Sequence, residues 1–303
     1  MSARHLPRLA PLAGLLPGLL WASAAYADHP FVLPSNTAYS GDAPVATFDA
    51  AGADHVFFFD HRPLPLASIA ITAPDGSPTQ PYNTLQSRYR TSFDLKLEQQ
   101  GTWKIASVQT MISGSFKLNG EERRVGGRPG GTGGPGGPRP AGAAPAGPVP
   151  GGEPRRQPPV AFEDIPAEAT DVHLTEIVGR AETFVTAGAP TTGALKPTGK
   201  GIELDPVTHP NEVVAGETAR FRFLIDGKPA PGLAVTVVPG GDRYRDDAGE
   251  VTLKTGADGV AAIKWPAAGM YWIGTEAEDK APSEKRAETR RMSYSATLEV
   301  MTP

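Results

Sequence analysis

Alternation of apolar and polar residues predicts two neighbouring β-strands in the second half of the chain. In residues 219–225, Phe221, Phe223 and Ile225 fall on one face and two arginines fall on the other. A repeat of two residues is typical of a strand with one buried side. Residues 233–238, which are rich in valine, form the second segment, and the stretch between the two contains Asp-Gly and two prolines, residues that turn a chain.

Four further segments in this half also predict strands. Residues 250–254 and 260–265 are separated by Ala257-Asp258-Gly259, which predicts a strand, a tight turn and a second strand. Residues 268–273 and 294–300 follow later in the chain. Short strands between turn residues rich in Gly and Pro are typical of sandwiches. We therefore predict an Ig-like β-sandwich over residues 202–303.

The first half shows the same kind of pattern. Residues 45–49, 68–72 and 93–97 alternate between apolar and polar side chains. Residues 54–61 contain four successive apolar residues bracketed by two Asp-His pairs, and such a short apolar run predicts a central strand. These segments predict a second sandwich, which we assign to residues 28–190.

A five-residue similarity connects the two halves. Gly101-Thr102-Trp103-Lys104-Ile105 has the same form as Gly269-Met270-Tyr271-Trp272-Ile273, with an aromatic residue two positions after a glycine and an isoleucine two positions later. In many sandwiches an aromatic residue at such a place packs at a corner of the domain. The predicted fold class is therefore all-β, with two tandem Ig-like or prealbumin-like sandwich domains of related plan.

The most biased segment of the chain is residues 126–159, which consist mainly of Gly, Pro and Ala with a few arginines. Because such a segment has little to bury, we predict that it is disordered. Residues 115–118 before it and 181–186 after it both predict strands that could pair as neighbours. The segment is therefore predicted to be a long insertion within the first domain, and the joint between the domains is placed in residues 188–201.

Composition and charge narrow the function classes. The chain has 303 residues and a net charge of −4 with both signs interspersed, which favours neither nucleic acid nor an anionic membrane surface as a partner. It contains no cysteine, which excludes thiolate metal sites and cysteine nucleophiles. Two domains of about 100 residues or more are large enough to fold on their own cores.

The first 27 residues have the pattern of a Sec-type signal peptide. Arg4 and Arg8 precede an apolar run, and Ala25-Tyr26-Ala27 matches an A-x-A cleavage site. We predict cleavage after Ala27 and a location in the periplasm. The later segments are too short or too polar to suggest a membrane span.

Several motifs resemble a widespread family of exported bacterial proteins of uncharacterised function. They are His29-Pro30-Phe31-Val32-Leu33-Pro34, Phe59-Asp60-His61, Thr72-Ala73-Pro74-Asp75-Gly76, residues 195–204 and Asp226-Gly227-Lys228-Pro229. The resemblance covers nearly all of the chain after the signal peptide, apart from the Gly/Pro-rich insertion. The family is often labelled a nickel uptake family, or the periplasmic component of a cobalt transport system. The resemblance thus implies metal handling in the periplasm, with a membrane metal transporter as partner.

Histidines and carboxylates could supply the ligands for such a metal, since both suit nickel and cobalt. In one straight strand His55 and His61 would lie about 20 Å apart, too far to share an ion. His61 instead follows the predicted strand beside Asp60, and His29 lies close to the new amino terminus. We predict a site for Ni²⁺ or Co²⁺ formed by His29 and His61 with Asp60 or Asp28, and with the α-amino group of residue 28 as a further ligand.

A structural alternative exists for these residues. His61 could cap the end of its strand while His29 is merely exposed, because neither has the close spacing of a specific metal motif. His173 and His209 lack a comparable context and are expected at the surface or in turns.

Catalysis finds little support in the sequence. There is no G-x-S-x-G motif, and Ser113 and Ser115 have no nearby histidine or carboxylate to activate a hydroxyl group. We therefore predict that the protein is not an enzyme.

The alternative function is a non-catalytic sandwich module that docks an outer-membrane receptor or a carbohydrate. Exposed aromatic residues would mark such a surface, and Trp265, Tyr271 and Trp272 are the candidates. Because adjacent residues of a strand point to opposite faces, Tyr271 and Trp272 could equally be packed in two different layers of the core.

Overall fold

The computed structural model describes residues 29–126 and 158–303. The predicted signal peptide, Asp28 and the greater part of the predicted disordered insertion lie outside the described residues. Strands and four short 3-10 turns make up the regular structure, with no α-helix in the described ranges. The all-β class predicted from the alternation is thereby confirmed. No helix within these two ranges has the length and apolar character needed to cross a membrane.

The first half contributes eleven strands to the described structure. They are β1 (His29–Pro34), β2 (Ala38–Tyr39), β3 (Val45–Ala53), β4 (Arg62–Pro63), β5 (Ile69–Thr72), β6 (Pro78–Thr79), β7 (Tyr82–Gln86), β8 (Thr91–Lys96), β9 (Gly101–Leu118), β10 (Glu121–Val125) and β11 (Thr170–Ala187). The strands β9 and β11 pair antiparallel along almost their whole lengths. Residues 115–118 and 181–186, which were predicted to pair with each other, lie on these two strands but not opposite one another. Residues 181–186 pair with residues 102–107, and Ser115 pairs with His173.

The second half contributes the remaining strands of the described residues. They are β12 (Ile202–Pro206), β13 (Thr218–Ile225), β14 (Lys228–Pro229), β15 (Ala234–Pro239), β16 (Val251–Lys254), β17 (Val260–Lys264), β18 (Gly269–Asp279) and β19 (Thr289–Val300). The two strands predicted from residues 219–225 and 233–238 are confirmed as β13 and β15.

Three sheets contain these strands. The amino-terminal sheet has the order β1-β3-β8-β7, with β4 paired to β3. The carboxy-terminal sheet has the order β12-β13-β14, with β17 paired to β13. Between them runs the shared sheet, in the order β16-β15-β18-β19-β11-β9-β5-β6 with β10 and β2 at its margins. The shared sheet joins both halves of the chain because β11 pairs antiparallel with β9 and parallel with β19.

Strand β11 contributes to the cores of both sandwiches through alternate residues. Ala181 and Val185 belong to the core between the amino-terminal and shared sheets. Phe184 belongs to the core between the carboxy-terminal and shared sheets, and Val178 packs against it. Successive side chains of a strand point to opposite faces, so one strand can serve two cores. The two sandwiches are consequently packed onto one continuous sheet.

The five-residue similarity between the halves corresponds to a shared corner. The indole nitrogen of Trp103 donates a hydrogen bond of 3.1 Å to the carbonyl oxygen of Gln99. The hydroxyl group of Tyr271 donates one of 3.0 Å to the carbonyl oxygen of Ala267. In both cases the acceptor lies four residues earlier, which is the arrangement of a tyrosine corner. The related plan of the two sandwiches extends to this hydrogen bond.

The strand predicted over residues 54–61 is wrong. The chain leaves β3 at Ala53 and turns, with Phe57 at a φ of 65° and the Phe58 amide bonded to the His55 carbonyl oxygen at 3.2 Å. Val56 is buried between the two halves, and the three phenylalanines are only partly buried. The apolar run therefore belongs to a loop that packs against another part of the protein, and its composition alone resembles that of a central strand.

The two strands and the tight turn predicted around Asp258-Gly259 are present, but the strands do not pair with each other. Strand β16 pairs with β15 in the shared sheet, whereas β17 pairs with β13 in the carboxy-terminal sheet. The turn therefore carries the chain from one layer of the sandwich to the other. Each strand buries its apolar residues against a different sheet, which a local turn motif does not indicate.

Candidate metal site and neighbouring surfaces

The carboxy-terminal half holds strand β1 in place. Trp272 donates a hydrogen bond of 3.0 Å from its indole nitrogen to the Pro30 carbonyl oxygen, and the Ser295 hydroxyl donates one of 2.6 Å to the same atom. Phe31 of β1 packs in a small core that also contains Val56 and Trp272. The beginning of β1, where the predicted ligand His29 lies, is thus anchored from both halves.

The ring of His29 is oriented by two neighbours. Its Nδ1 atom lies 3.3 Å from the carbonyl oxygen of Ala53, and its ring meets that of Trp272 edge-on with 4.8 Å between centroids. A carbonyl oxygen can only accept a hydrogen bond, so this contact places the proton on Nδ1 in the neutral ring. The lone pair then lies on Nε2. Metal-binding histidines commonly have this arrangement, with the second ring nitrogen donating to a backbone carbonyl.

His29 and His61 lie at the same end of the amino-terminal sheet. His29 pairs with Ala53 across β1 and β3, and Arg62 pairs with Gly52 on the opposite side of β3. His61 precedes Arg62 and lies just beyond the last paired residue. If the register continued by one residue, His61 would lie opposite Ala53, about 10 Å from His29 between α-carbons across two strand spacings.

Asp60 is the residue before His61 in the chain. Its Oδ1 atom accepts a hydrogen bond of 3.3 Å from the Asp54 amide, which brings the two ends of the 54–60 loop together. Because the segment is a closed loop, the predicted strand separation of about 20 Å between His55 and His61 no longer applies. His55 instead contacts Asp242, with 3.2 Å between Nδ1 and Oδ2.

Within residues 29–126 and 158–303, no group of three or more histidine, cysteine, aspartate or glutamate residues is arranged to hold a metal ion. The described members of the predicted ligand set, His29, Asp60 and His61, do not form such a group by themselves. Asp28, the fourth predicted ligand, lies outside the described residues. The predicted site therefore depends on residue 28 and on movement of the exposed Asp60 and His61 side chains.

The remaining histidines have other partners. His173 is exposed, as predicted, and lies 3.2 Å from Glu288. His209 is in a turn, also as predicted, but its ring connects the two halves. Its Nε2 atom lies 3.0 Å from the Thr102 hydroxyl and 3.1 Å from the Thr191 carbonyl oxygen, and its Nδ1 atom accepts from the Asn211 amide.

The three aromatic residues considered for docking are all buried. Trp265 and Tyr271 belong to the core of the carboxy-terminal sandwich, and Trp272 packs against β1. Of the two alternatives for Tyr271 and Trp272, packing in two layers is the one observed. Exposure of any of these residues as a docking surface is therefore excluded.

A different aromatic group is exposed close to the 54–61 loop. Tyr244 is 80% exposed, and its ring meets that of Phe58 edge-on with 5.4 Å between centroids. The Arg243 guanidinium lies over the Phe58 ring, 5.3 Å from its centroid. We name Phe58, Arg243 and Tyr244 the aromatic patch. The sequence gives no signal for this patch, because Tyr244 occurs in a polar segment with no alternation.

The loop that carries Tyr244 is held by a single arginine. The Arg245 guanidinium donates to main-chain carbonyl oxygens at distances between 2.7 and 3.4 Å, and the acceptors are Pro239, Gly240, Asp247 and Ala248. Asp242, which is buried, accepts from the amide of Arg243 at 2.8 Å. The aromatic patch is thus presented by a loop whose backbone is extensively hydrogen-bonded.

Strand β11 also carries part of a buried ionic network. Arg180 donates to Glu182 at 3.0 Å and approaches Glu203 at 3.5 Å, while the Tyr294 hydroxyl donates to Glu182 at 2.9 Å. Burial raises the pKa of Tyr294 well above its usual value, and the nearby Glu182 carboxylate raises it further. For Glu203, burial raises the pKa, but hydrogen bonds from Thr198 and the charge of Arg180 outweigh it and lower the pKa overall. The network connects β11 to β12 and β19 and is structural in character.

One protein-family model matches most of the chain, including the anchored strand β1. The family model described as a domain of unknown function, DUF4198, matches residues 25–279. The chain belongs to this family. A comparison with curated proteins finds no significant match to the chain.

Solved structures show only distant likeness. The D0-D1 domain of intimin is 12% identical and aligns over 89% of this chain and 97% of its own, with a TM-score of 0.20. Alpha-2-macroglobulin of Escherichia coli is 10% identical over 91% of this chain and 20% of its own, with a TM-score of 0.22. A DUF4785 family protein of Legionella pneumophila is 6% identical over 80% of this chain and 50% of its own, with a TM-score of 0.21. At these scores the likeness carries no argument about function.

Proposed function

We propose that the protein is a periplasmic accessory component of nickel or cobalt uptake, which binds the ion at the end of the amino-terminal sheet and presents it to a membrane transporter. His29, His61 and Asp60 supply ligands in this proposal, and Asp28 completes the set. No catalytic step is required of the protein. The metal is its cargo.

The observation that supports the proposal is the pairing of His29 with Ala53 and of Arg62 with Gly52, which puts His29 and His61, the residue before Arg62, at the same end of the amino-terminal sheet. The contact from His29 Nδ1 to Ala53 puts the lone pair of the neutral ring on Nε2, the atom proposed as ligand. Asp60 adds a carboxylate beside His61. Imidazole and carboxylate together suit nickel, cobalt, copper and zinc, so the choice of nickel or cobalt rests on the family resemblance.

Isothermal titration calorimetry of the exported protein with Ni²⁺, Co²⁺, Cu²⁺ and Zn²⁺ tests this function, with the amino terminus established first by mass spectrometry. We expect one ion per chain, and each of His29→Ala and His61→Ala to weaken binding by about tenfold or more. His173→Ala is the matched control, since it removes an exposed histidine that also faces a carboxylate. If His29→Ala and His61→Ala both bind the ion with wild-type affinity, the proposed metal site is wrong.

A second candidate function, docking of a carbohydrate or an outer-membrane receptor, is favoured by the aromatic patch. Tyrosine and arginine are enriched among the residues that dominate binding interfaces, and Tyr244 is held outward by a well-bonded loop. Binding to a panel of cell-envelope polysaccharides, compared between the wild type and Tyr244→Ala, tests it. Tyr89→Ala is the control, because Tyr89 is also exposed and also contacts an arginine, Arg88. If Tyr244→Ala and Tyr89→Ala lose binding equally, the aromatic patch is not the specific binding surface.

A further inference from the structure

The amino-terminal sandwich is open at one end, where a cleft of about 130 Å³ lies between its two sheets. Pro30 and Arg62 line it from the amino-terminal sheet. Gln109, Gly179 and Ser293 line it from three adjacent strands of the shared sheet. The cleft is thus built from five segments, and the last of these belongs to the carboxy-terminal half.

Gly179 accounts for the depth of the cleft. It pairs with Gln109 on β9 and with Ser293 on β19, so the three residues form one row across the shared sheet. Residues of one row point to the same face, and the middle member of this row has no side chain. A β-carbon at Gly179 would meet its nearest neighbour, the Ser293 hydroxyl oxygen, at 3.5 Å, which is an ordinary contact. The backbone would therefore accept alanine, and the added methyl group would occupy the cleft.

The lining combines an apolar wall with polar groups at one side. Leu64, Met111 and Ile177 supply apolar surface, and Arg62 supplies a positive charge. Arg180 also borders the cleft, but its guanidinium contacts Glu182 and Glu203 on the opposite face of β11. None of the described residues that line the cleft is an aspartate or a glutamate.

We propose that this cleft binds a small organic monocarboxylate, with its apolar body against Leu64, Met111 and Ile177 and its carboxylate toward Arg62. A cavity of about 150 Å³ holds a molecule the size of benzene, so this cleft suits a body of about five or six carbon atoms. Arginine is the residue best matched to a carboxylate because it can donate two parallel hydrogen bonds. Arg62 already has a partner within the protein, and a guanidinium has five N–H donors that several acceptors can share.

This binding does not rest on the proposed metal function. His29 and His61 lie one position along their segments from Pro30 and Arg62, and alternate residues of β1 point to opposite faces of the sheet. The cleft faces the interior of the amino-terminal sandwich, whereas Ala53, the residue paired with His29, packs toward the carboxy-terminal half. A ligand in the cleft and an ion at the histidines would therefore be bound separately.

NMR titration of the whole chain with hexanoate, in the presence of a chelator that removes metal ions, tests the proposal. We expect saturable shifts of the amide signals of residues 107–111 and 177–181. Hexanol, which has the same apolar body and no charge, should bind about tenfold more weakly, as expected for loss of a hydrogen bond to a charged group. Equal affinity for the acid and the alcohol would contradict the proposed role of Arg62.

Two variants and one control locate the binding. Gly179→Ala should reduce hexanoate affinity by about tenfold because the methyl group displaces the ligand body. Arg62→Gln should weaken hexanoate and leave hexanol unchanged. Gly256→Ala is the control, since Gly256 likewise has no positive φ and does not line the cleft. Undiminished binding by Gly179→Ala, or shifts confined to other residues, would overturn the proposal.

Discussion

The indole nitrogen of Trp272 donates a hydrogen bond of 3.0 Å to the carbonyl oxygen of Pro30, which precedes it by 242 residues. Pro30 lies in β1, at the edge of the amino-terminal sheet, and Trp272 lies in β18 of the shared sheet. An edge strand presents unpaired backbone groups, and here one of them is satisfied by side chains of the other half. The position of His29 is therefore determined in part by the carboxy-terminal sequence.

Gly274→Ala should disturb this anchor. A β-carbon at Gly274 would lie 1.9 Å from the Trp272 ring, so the indole must move away from its present place across the strand. Overpacking of this kind costs about 1–3 kcal/mol of the free energy of unfolding, which urea denaturation would measure. Gly179→Ala is the matched control because its nearest contact would be 3.5 Å.

The contact between Trp272 and Gly274 also predicts that the stability costs of substitutions at these two residues are not additive. In the double variant Trp272→Leu and Gly274→Ala, the smaller side chain removes the clash, so the Gly274→Ala substitution should cost much less than it does alone. Equal costs of Gly274→Ala in the two backgrounds would show that the indole ring is not the source of the effect.

Tyr271→Phe should weaken the corner of the carboxy-terminal sandwich. The substitution removes only the hydroxyl group that donates to the Ala267 carbonyl oxygen. Loss of such a hydrogen bond lowers the free energy of unfolding by about 1 kcal/mol. Tyr244→Phe removes a hydroxyl group from an exposed ring and should leave the stability unchanged. If the two variants are equally stable, the corner bond contributes nothing measurable.

Arg180→Met should destabilise the protein strongly. It leaves the buried carboxylates Glu182 and Glu203 without their common cation. Breaking a buried ion pair from one side costs about 3–5 kcal/mol, in contrast to exposed pairs, which contribute little. Lys96→Met, which removes the partner of the exposed Glu98, is the control and should have a far smaller effect in the same denaturation experiment.

Acid should destabilise the protein in part through Arg290. Hydrogen bonds from its guanidinium lower the pKa of Asp226 and that of Asp279. A carboxyl group with a lowered pKa in the folded state stabilises the fold above its ordinary pKa of about 4, and this contribution is lost as the pH falls below it. The Asp279→Asn variant should therefore be less stable than the wild type at neutral pH. Between about pH 5 and pH 2 it should lose less of its free energy of unfolding than the wild type loses.

Urea denaturation across this pH range measures the effect. Asp42→Asn replaces an exposed aspartate for which the structure records no ion pair, and its stability should follow the wild-type curve. A decline in Asp279→Asn as steep as that of the wild type would mean that the pair with Arg290 does not contribute to acid sensitivity.

Local alternation predicted most of the strands correctly. Phe221 and Phe223, placed on one face by their spacing, are both fully buried in the carboxy-terminal core. Residues 54–61 were predicted wrongly because an apolar run indicates burial without indicating the backbone conformation. Here the turn at Phe57 lets Val56 pack against the second half, which is a tertiary contact.

The candidate site was only partly accessible from the sequence. Residue type and position singled out His29, Asp60 and His61, but that His29 and His61 lie at the same end of one sheet depends on the pairing of β1 and β4 with β3. The aromatic patch was missed altogether, because Tyr244 and Phe58 are far apart in the chain and meet only through the packing of two loops.

By itself, the sequence determined the all-β class, the position of most strands and the two matching corners around Trp103 and Tyr271, because alternation, turns and bonds across four residues are local properties. The tertiary structure decided that β16 and β17 enter different sheets, that Trp265 and Trp272 are buried, and that β11 serves two cores. These features depend on which distant strands pair and which faces they cover, because an apolar face is buried only where another sheet packs against it.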